Sequence, residues 1–450
     1  MFSILPNFLK ERNISNSSDV WDYAKTIIPG GGELISKKAE RFLPGQWPSY
    51  YHKAKGYNVW DLNNKKYVDF AQMGVGSCIH GYANSKINKK VIRSIRKGSM
   101  SSLNSYEELE LAERLIQLHP YSSMARFART GGEACSIAVR IARAASGKDG
   151  VAICGYHGWH DWYIATNIGD KENLKDQLLP GLDPAGVPKN LQGSTYPFIY
   201  NDFDGLEIIK ENRDKIGVVI MEPTRGVKPL PGYLQKIREL CNEIGAVLIF
   251  DEVTSAFREN NGAWHLLSGV DPDMTIFGKA LGNGFPISAV IGKQSVMNKA
   301  TLSFISSTMW TERVGFTAGV ANLDLFSKQK SHEKLVYNGK KIKEAWEESA
   351  KKTNININIS GLDPLASFKF LDGAENVYQT FYAQEMLKEN FLVGSSSYSC
   401  TVYSESILKK FNKKTLEVFE KIKFINDKGD KIENYINGDL IKSGFKRLNS

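Results

Sequence analysis

Residues 246–286 read AVLIFDEVTSAFRENNGAWHLLSGVDPDMTIFGKALGNGFP, and two short apolar runs within them end on charged residues. AVLIF (246–250) runs into Asp251-Glu252-Val253, and MTIF (274–277) runs into Gly278-Lys279. Short apolar runs bounded by turn residues have the length and composition of buried parallel strands. Ligands of such a sheet collect beyond the carboxyl ends of its strands, so the residues after each run are where chemistry is sought.

Working outward, MARFAR (124–129), VAIC (151–154) and GVVIM (217–221) have the same character. Between the runs lie amphipathic stretches such as ACSIAVRIARAASG (134–147) and GYLQKIRELCNEIG (232–245), each closed by a glycine where a helix C-cap falls. From about residue 80 to 295, strand and helix alternate. That pattern predicts an α/β fold, a mostly parallel sheet with helices on both faces. Upstream, residues 1–75 read as an N-terminal arm holding Pro29-Gly30-Gly31-Gly32, then a hairpin over GYNVWDLNNKKYVDF around Asn63-Asn64. Residues 76–320 form the expected large domain. Residues 321–450, with helical patterns at 335–352 and 415–429 flanking strands such as SFKF (367–370), form a smaller α+β domain.

Bulk properties agree with a globular protein. The 450 residues are 42% hydrophobic and 24% charged, enough for a sizeable core. No apolar run reaches the 18 or so residues a spanning helix needs, and MFSILPNFLKERN lacks the basic leader and cleavage site of a secretion signal. The five cysteines are scattered and odd in number, which suits reduced thiols in a cytoplasmic compartment. The net charge of +9 is spread over solvated helix faces such as Lys340, Lys341 and Lys343, so no nucleic-acid partner is expected.

Four strand ends carry candidate chemistry. After MARFAR, Thr130-Gly131-Gly132-Glu133 opens a helix whose free amides and dipole favour an anion, although a plain strand-to-helix turn reads the same way. After VAIC comes Gly155-Tyr156-His157-Gly158-Trp159-His160, where an aromatic can stack on a flat ring. Its two histidines have no third ligand nearby; aromatic packing explains them, and no metal is expected. The carboxylates Asp251 and Glu252 are costly at the end of an apolar strand unless something uses them. Asp251 suits a protonated ring nitrogen, and a helix cap or salt bridge is the equal alternative. Lys279, ahead of a glycine-rich turn, has room for a bulky adduct and suits attack on an aldehyde. An anion cradle, a stacking ring, a carboxylate and a Schiff-base lysine on one sheet edge are the parts that pyridoxal 5'-phosphate requires.

With these residues in place, the chain resembles the class III pyridoxal-phosphate-dependent aminotransferases, most closely their glutamate-1-semialdehyde 2,1-aminomutase branch. The resemblance runs over about residues 25–330 and more faintly to 420. TGGEA (130–134), YHG (156–158), MEP (221–223), FDEV (250–253), GKALGNGFP (278–286) and SSTMWTERVGFTAG (306–319) match the family's motifs in order. The resemblance implies a fold-type I transferase in which Lys279 forms the Schiff base and shuttles a proton, while Asp251 keeps the pyridine nitrogen protonated. Gly131 and Gly132 would bind the phosphate, Tyr156 and Val253 would sandwich the ring, and Glu222 would belong to the same site. Thr308 would reach the phosphate from a neighbouring subunit, which implies a homodimer.

Several positions depart from the family's pattern. Gly132 replaces the usual threonine of the phosphate loop. Lys37 stands nearest the place of a substrate-binding arginine, Met73-Gly74 replace a pocket tryptophan, and SCTVYSESI (399–407) replaces a histidine-containing stretch. The retained cofactor residues imply an aminotransferase acting on an amino donor and the aldehyde or ketone of a small metabolite. The alternative is a true glutamate-1-semialdehyde aminomutase.

Overall fold

The computed structural model describes residues 6–12, 14, 16–178, 180–224, 226–445 and 448. The chain packs as two units, Ser85–Glu333 and the pair of segments Met1–Asn84 with Lys334–Ser450.

The first unit is built on seven strands: β1 (Met124–Ala128), β2 (Gly150–Cys154), β3 (Thr195–Pro197), β4 (Ile216–Met221), β5 (Val247–Asp251), β6 (Met274–Phe277) and β7 (Ser288–Gly292). Their order across the sheet is β1-β7-β6-β5-β4-β2-β3. Only β7 is antiparallel to its neighbours; the other strands run one way. All five apolar runs singled out in the sequence are strands here. Every residue of β2, β4, β5, β6 and β7 is buried, as expected for a parallel sheet covered on both faces. The helix Gly131–Ser146 follows β1 and ends on Gly147 at φ 71°, while Tyr233–Ile244 ends on Gly245 at φ 69°. Left-handed backbone of this kind favours glycine, so the two C-caps fall where the sequence placed them.

In the second unit, Tyr51–Lys55, Asn58–Asp61 and Lys66–Asp69 form an antiparallel meander. Asp61 Oδ1 closes the expected Asn63-Asn64 turn by accepting from the amides of Asn63 (2.9 Å) and Lys65 (2.8 Å). The distant strand Phe391–Leu392 then pairs in parallel with Lys66–Asp69, so N-terminal and C-terminal segments share one sheet. Phe70 stacks between Tyr403 (4.5 Å) and Phe411 (4.2 Å), a further reason the two ends of the chain pack together. A second sheet of Ile357–Ser360, Leu365–Phe370 and Ser396–Tyr398 and the long helix Glu405–Asp427 complete this α+β unit. All five cysteines are buried and free of disulfides, and no described helix is long and apolar enough to cross a membrane.

Candidate active site

The parallel strands present their carboxyl ends on one edge, and the chemistry-bearing residues follow β1, β2, β4, β5 and β6 in turn. Asp251 is the last residue of β5 and is 3% exposed. Its Oδ2 accepts from His157 Nδ1 at 2.8 Å and from Cys135 Sγ at 3.3 Å, and its Oδ1 accepts from the Val253 amide at 3.1 Å. Burial and the Asp251 carboxylate hold the Cys135 thiol well above its ordinary pKa, so it stays protonated and donates. The side-chain ligand atoms of Cys135, His157 and Asp251 lie within 4.8 Å of one another, and these hydrogen bonds account for the clustering.

Glu252 has a different task. It is fully buried, and Ser255 Oγ (3.1 Å), the His265 amide (2.9 Å), His265 Nδ1 (2.8 Å) and the Trp264 amide all donate to it. Adjacent residues on an extended chain point oppositely. Of the two carboxylates that looked costly in the sequence, one therefore serves the site and the other ties down the loop 252–265.

Lys279 follows β6 with φ at 37°, a left-handed conformation that costs a long side chain about 1 kcal/mol or more. Its Nζ donates to Thr254 Oγ1 at 2.6 Å. Burial pushes its pKa down, and the nearby Glu222 and Asp251 carboxylates partly oppose that fall. The amine is therefore more readily free than that of a surface lysine. Glu222 follows β4; its Oε2 accepts the Tyr156 amide at 3.2 Å, and its own amide donates to the Cys154 carbonyl at 3.0 Å.

The turn after β1 is a capping box. Thr130 Oγ1 accepts from the Glu133 amide (3.3 Å), and Glu133 Oε2 accepts from the Thr130 amide (2.9 Å). The Ala134 amide makes the first helical bond to the Thr130 carbonyl, so the amides of Gly131 and Gly132 have no intrahelical acceptor. A Cβ on Gly131 would stand 3.1 Å from Val253 Cγ1, and one on Gly278 would stand 3.2 Å from the same atom. Val253 thus packs between the glycine turns after β1 and β6. Tyr156, 43% exposed, stands at the other strand end of the site.

The structure brings Gly131, Gly132, Tyr156, Glu222, Asp251, Val253 and Lys279 to one sheet edge. Thr308 lies in the short turn Thr308–Thr311 and is exposed on this chain. That turn is tied to the first turn's neighbours: Arg129 Nε donates to the Met309 carbonyl (2.8 Å), and Trp310 Nε1 donates to Glu133 Oε1 (3.1 Å). Sequence reasoning missed His157, Cys135 and Thr254. His157, expected only to pack within its loop, instead hydrogen-bonds Asp251 through its ring. Its place immediately after Tyr156, one residue further past a strand end, was the signal.

This constellation on a mostly parallel seven-stranded sheet defines a pyridoxal-phosphate-dependent transferase of fold type I. The Aminotransferase class-III family pattern matches residues 44–394, and the chain belongs to that family. It is 32% identical over 389 residues to the 3-aminobutyryl-CoA aminotransferase of Cloacimonas acidaminovorans (strain Evry), covering 84% of this chain and 89% of that one. It is 29% identical over 429 residues to the glutamate-1-semialdehyde 2,1-aminomutase of Methanosphaera stadtmanae, covering 90% and 98%. The solved FumI protein of Sphingopyxis sp. MTA144, in its pyridoxal-phosphate internal aldimine form, superposes with a TM-score of 0.83 at 21% identity over 93% of this chain and 99% of that one. The chain is an enzyme of the aminotransferase and aminomutase family, with pyridoxal 5'-phosphate as its cofactor. The residues present fit that group: a side-chain-free cradle at a helix N-terminus, a buried carboxylate and a lysine amine depressed by burial.

Proposed function

We propose that the protein moves an amino group between a small amine donor and the aldehyde or ketone of a different small metabolite, as a cytoplasmic homodimer. The observation that carries this reading is the Lys279 amine held beside Thr254 Oγ1 within the field of Asp251 and Glu222.

When bound, pyridoxal phosphate supplies an aldehyde that condenses with amines and a ring that accepts the electrons of a broken bond. Lys279 Nζ would hold the cofactor, and as an amine whose pKa is depressed by burial it would serve as the base that takes the substrate's proton. Asp251, oriented by His157, Cys135 and Val253, would hold a proton at the ring nitrogen. Tyr156 and Val253 would flank the ring and keep water from it. Gly131 and Gly132 would offer their amides to the phosphate, and Thr308 from a second copy of the chain would complete that contact. Exposure of Phe304 (86%) and Met309 (61%), which flank Thr308 along the chain, supports a partner surface there. Five buried thiols outside any disulfide support the cytoplasmic placement.

Departures from the family's pattern at the positions its members use for substrate support two separate substrates. Lys37 stands in place of an arginine, and Met73-Gly74 in place of a tryptophan. The loop Met73–Gly76 holds four consecutive positive φ values (42°, 66°, 56° and 77°), costly at β-branched Val75 and typical of backbone built for a ligand. The aminomutase reading draws support from the 98% coverage of the Methanosphaera relative. A half-reaction screen separates the two. Amines that convert the cofactor to its amine form, with turnover requiring an added carbonyl acceptor, support the aminotransferase. Isomerisation of glutamate 1-semialdehyde with no added donor supports the aminomutase instead.

A further inference from the structure

Two glycines let the strand-end loops after β1 and β2 touch. Gly158 has φ of 102°, and a Cβ on it would stand 2.8 Å from Gly132 Cα. No residue larger than glycine tolerates that approach on the 158 side. The contact delivers the next side chain but one, His160, to the phosphate turn. A Cβ built on Gly132 would stand 3.1 Å from His160 Cε1 and 3.2 Å from His160 Nδ1. The imidazole therefore occupies the space that a threonine side chain at position 132 would claim.

His160 is held there from two sides. Trp159 stacks on its ring, with centroids 4.6 Å apart and planes at 20°. Its carbonyl accepts the Tyr163 amide at 2.9 Å as the helix Asp161–Ile164 begins. Yet Nδ1 is buried and has no hydrogen-bond partner among the described residues. A buried polar atom left without a partner costs about 1–3 kcal/mol, so one placed against a helix N-terminus with free amides implies a guest. Burial favours the neutral ring, opposed by the Glu133 and Asp161 carboxylates. A neutral ring protonated at Nδ1 donates one hydrogen bond toward the turn, and a protonated ring donates the same bond with added charge.

We propose that His160 is a phosphate-binding residue: its Nδ1–H donates to the cofactor's phosphate, replacing the hydroxyl that Gly132 lacks. The exchange is reciprocal, since a side chain at 132 and the imidazole at 160 compete for one space. This inference rests on reading the 130–133 turn as the phosphate cradle.

The test is cofactor affinity, with pyridoxal as the probe that lacks the phosphate. Apoprotein is titrated with pyridoxal 5'-phosphate and with pyridoxal, following absorbance. The native protein is expected to prefer the phosphorylated form strongly. His160→Ala is expected to weaken binding of pyridoxal 5'-phosphate by about 10- to 100-fold and leave pyridoxal unchanged, as loss of one charge-assisted hydrogen bond would. Pyridoxal binding also reports that the variant is folded. His160→Asn, which keeps an amide donor near the Nδ1 position, retains most of the preference. Gly132→Thr in the His160→Ala background recovers part of it. An unchanged ratio of the two affinities in His160→Ala overturns the role of His160. Absence of any preference in the native protein overturns the cradle reading beneath it.

Discussion

His157 Nδ1 stands 2.8 Å from Asp251 Oδ2, and both side chains are buried. A carboxylate that must face a ring nitrogen needs its other lone pairs occupied, or it rotates to find donors. His157, Cys135 and the Val253 amide supply those donors, from the loop after β2, the helix after β1 and the chain just past β5. His157→Phe is expected to keep cofactor bound while slowing the amine half-reaction by about 10- to 100-fold, the worth of one hydrogen bond to a charged group. Asp251→Asn, which removes the charge itself, is expected to slow it by about 10³-fold or more. Stopped-flow absorbance measures both, and an unchanged rate in His157→Phe would remove His157 from the orienting role.

Gly155 links β2 to Tyr156 with φ of 131°, and a Cβ there would stand 2.7 Å from Glu222 Oε2. Gly155→Ala therefore strains the backbone and displaces the carboxylate that holds the Tyr156 amide. The expected outcome is a loss of about 2 kcal/mol of stability or more together with weakened cofactor binding. Thermal unfolding of apoprotein and holoprotein measures both.

The strand runs and their charged ends were legible because parallel strands buried on both faces are written as unbroken apolar segments, interrupted where function begins. Lys279 and Asp251 stood out for that reason. The strands Thr195–Pro197 and Ser288–Gly292 were missed. The first is only three residues long, and the second follows a glycine-rich turn with only the single 3-10 turn Lys279–Gly282 between it and β6. The pairing of Phe391–Leu392 with Lys66–Asp69 was also hidden, because no local pattern in a two-residue strand names a partner over 300 residues away. Hydrogen bonds such as Cys135 to Asp251 and Lys279 to Thr254 depend on side-chain direction in three dimensions and leave no spacing signal.

His119 gives the fold a pH dependence of known sign. Its Nε2 accepts the Ala263 amide at 3.0 Å while Nδ1 lies 2.6 Å from the Leu115 carbonyl, an arrangement that only the neutral ring satisfies. Burial, chiefly, pushes its pKa down to about 4 from 6.5. Between those values the unfolded chain binds the proton and the folded chain does not, so stability falls as pH drops from 6.5 to 4 and levels off below. The full contribution is about 3 kcal/mol. Urea unfolding across that range should show a shallower loss for His119→Gln than for the native protein, and identical slopes would refute the assignment.

Phe304, 86% exposed beside Thr308's turn, marks the proposed partner surface. Phe304→Arg is expected to shift the protein toward monomer in sedimentation velocity and to release cofactor on dilution. A native protein that sediments as a monomer while holding its cofactor would dispose of the shared site.

Borohydride reduction tests directly whether Lys279 carries the cofactor covalently. Holoprotein should be yellow; after reduction and proteolysis, mass spectrometry should find the pyridoxyl phosphate mass on the peptide containing Lys279. Lys279→Ala should fold, retain no fixed cofactor and lose turnover. A reduced adduct on any other lysine, or an unmodified Lys279 peptide from an active holoprotein, would rule out Lys279 as the covalent site.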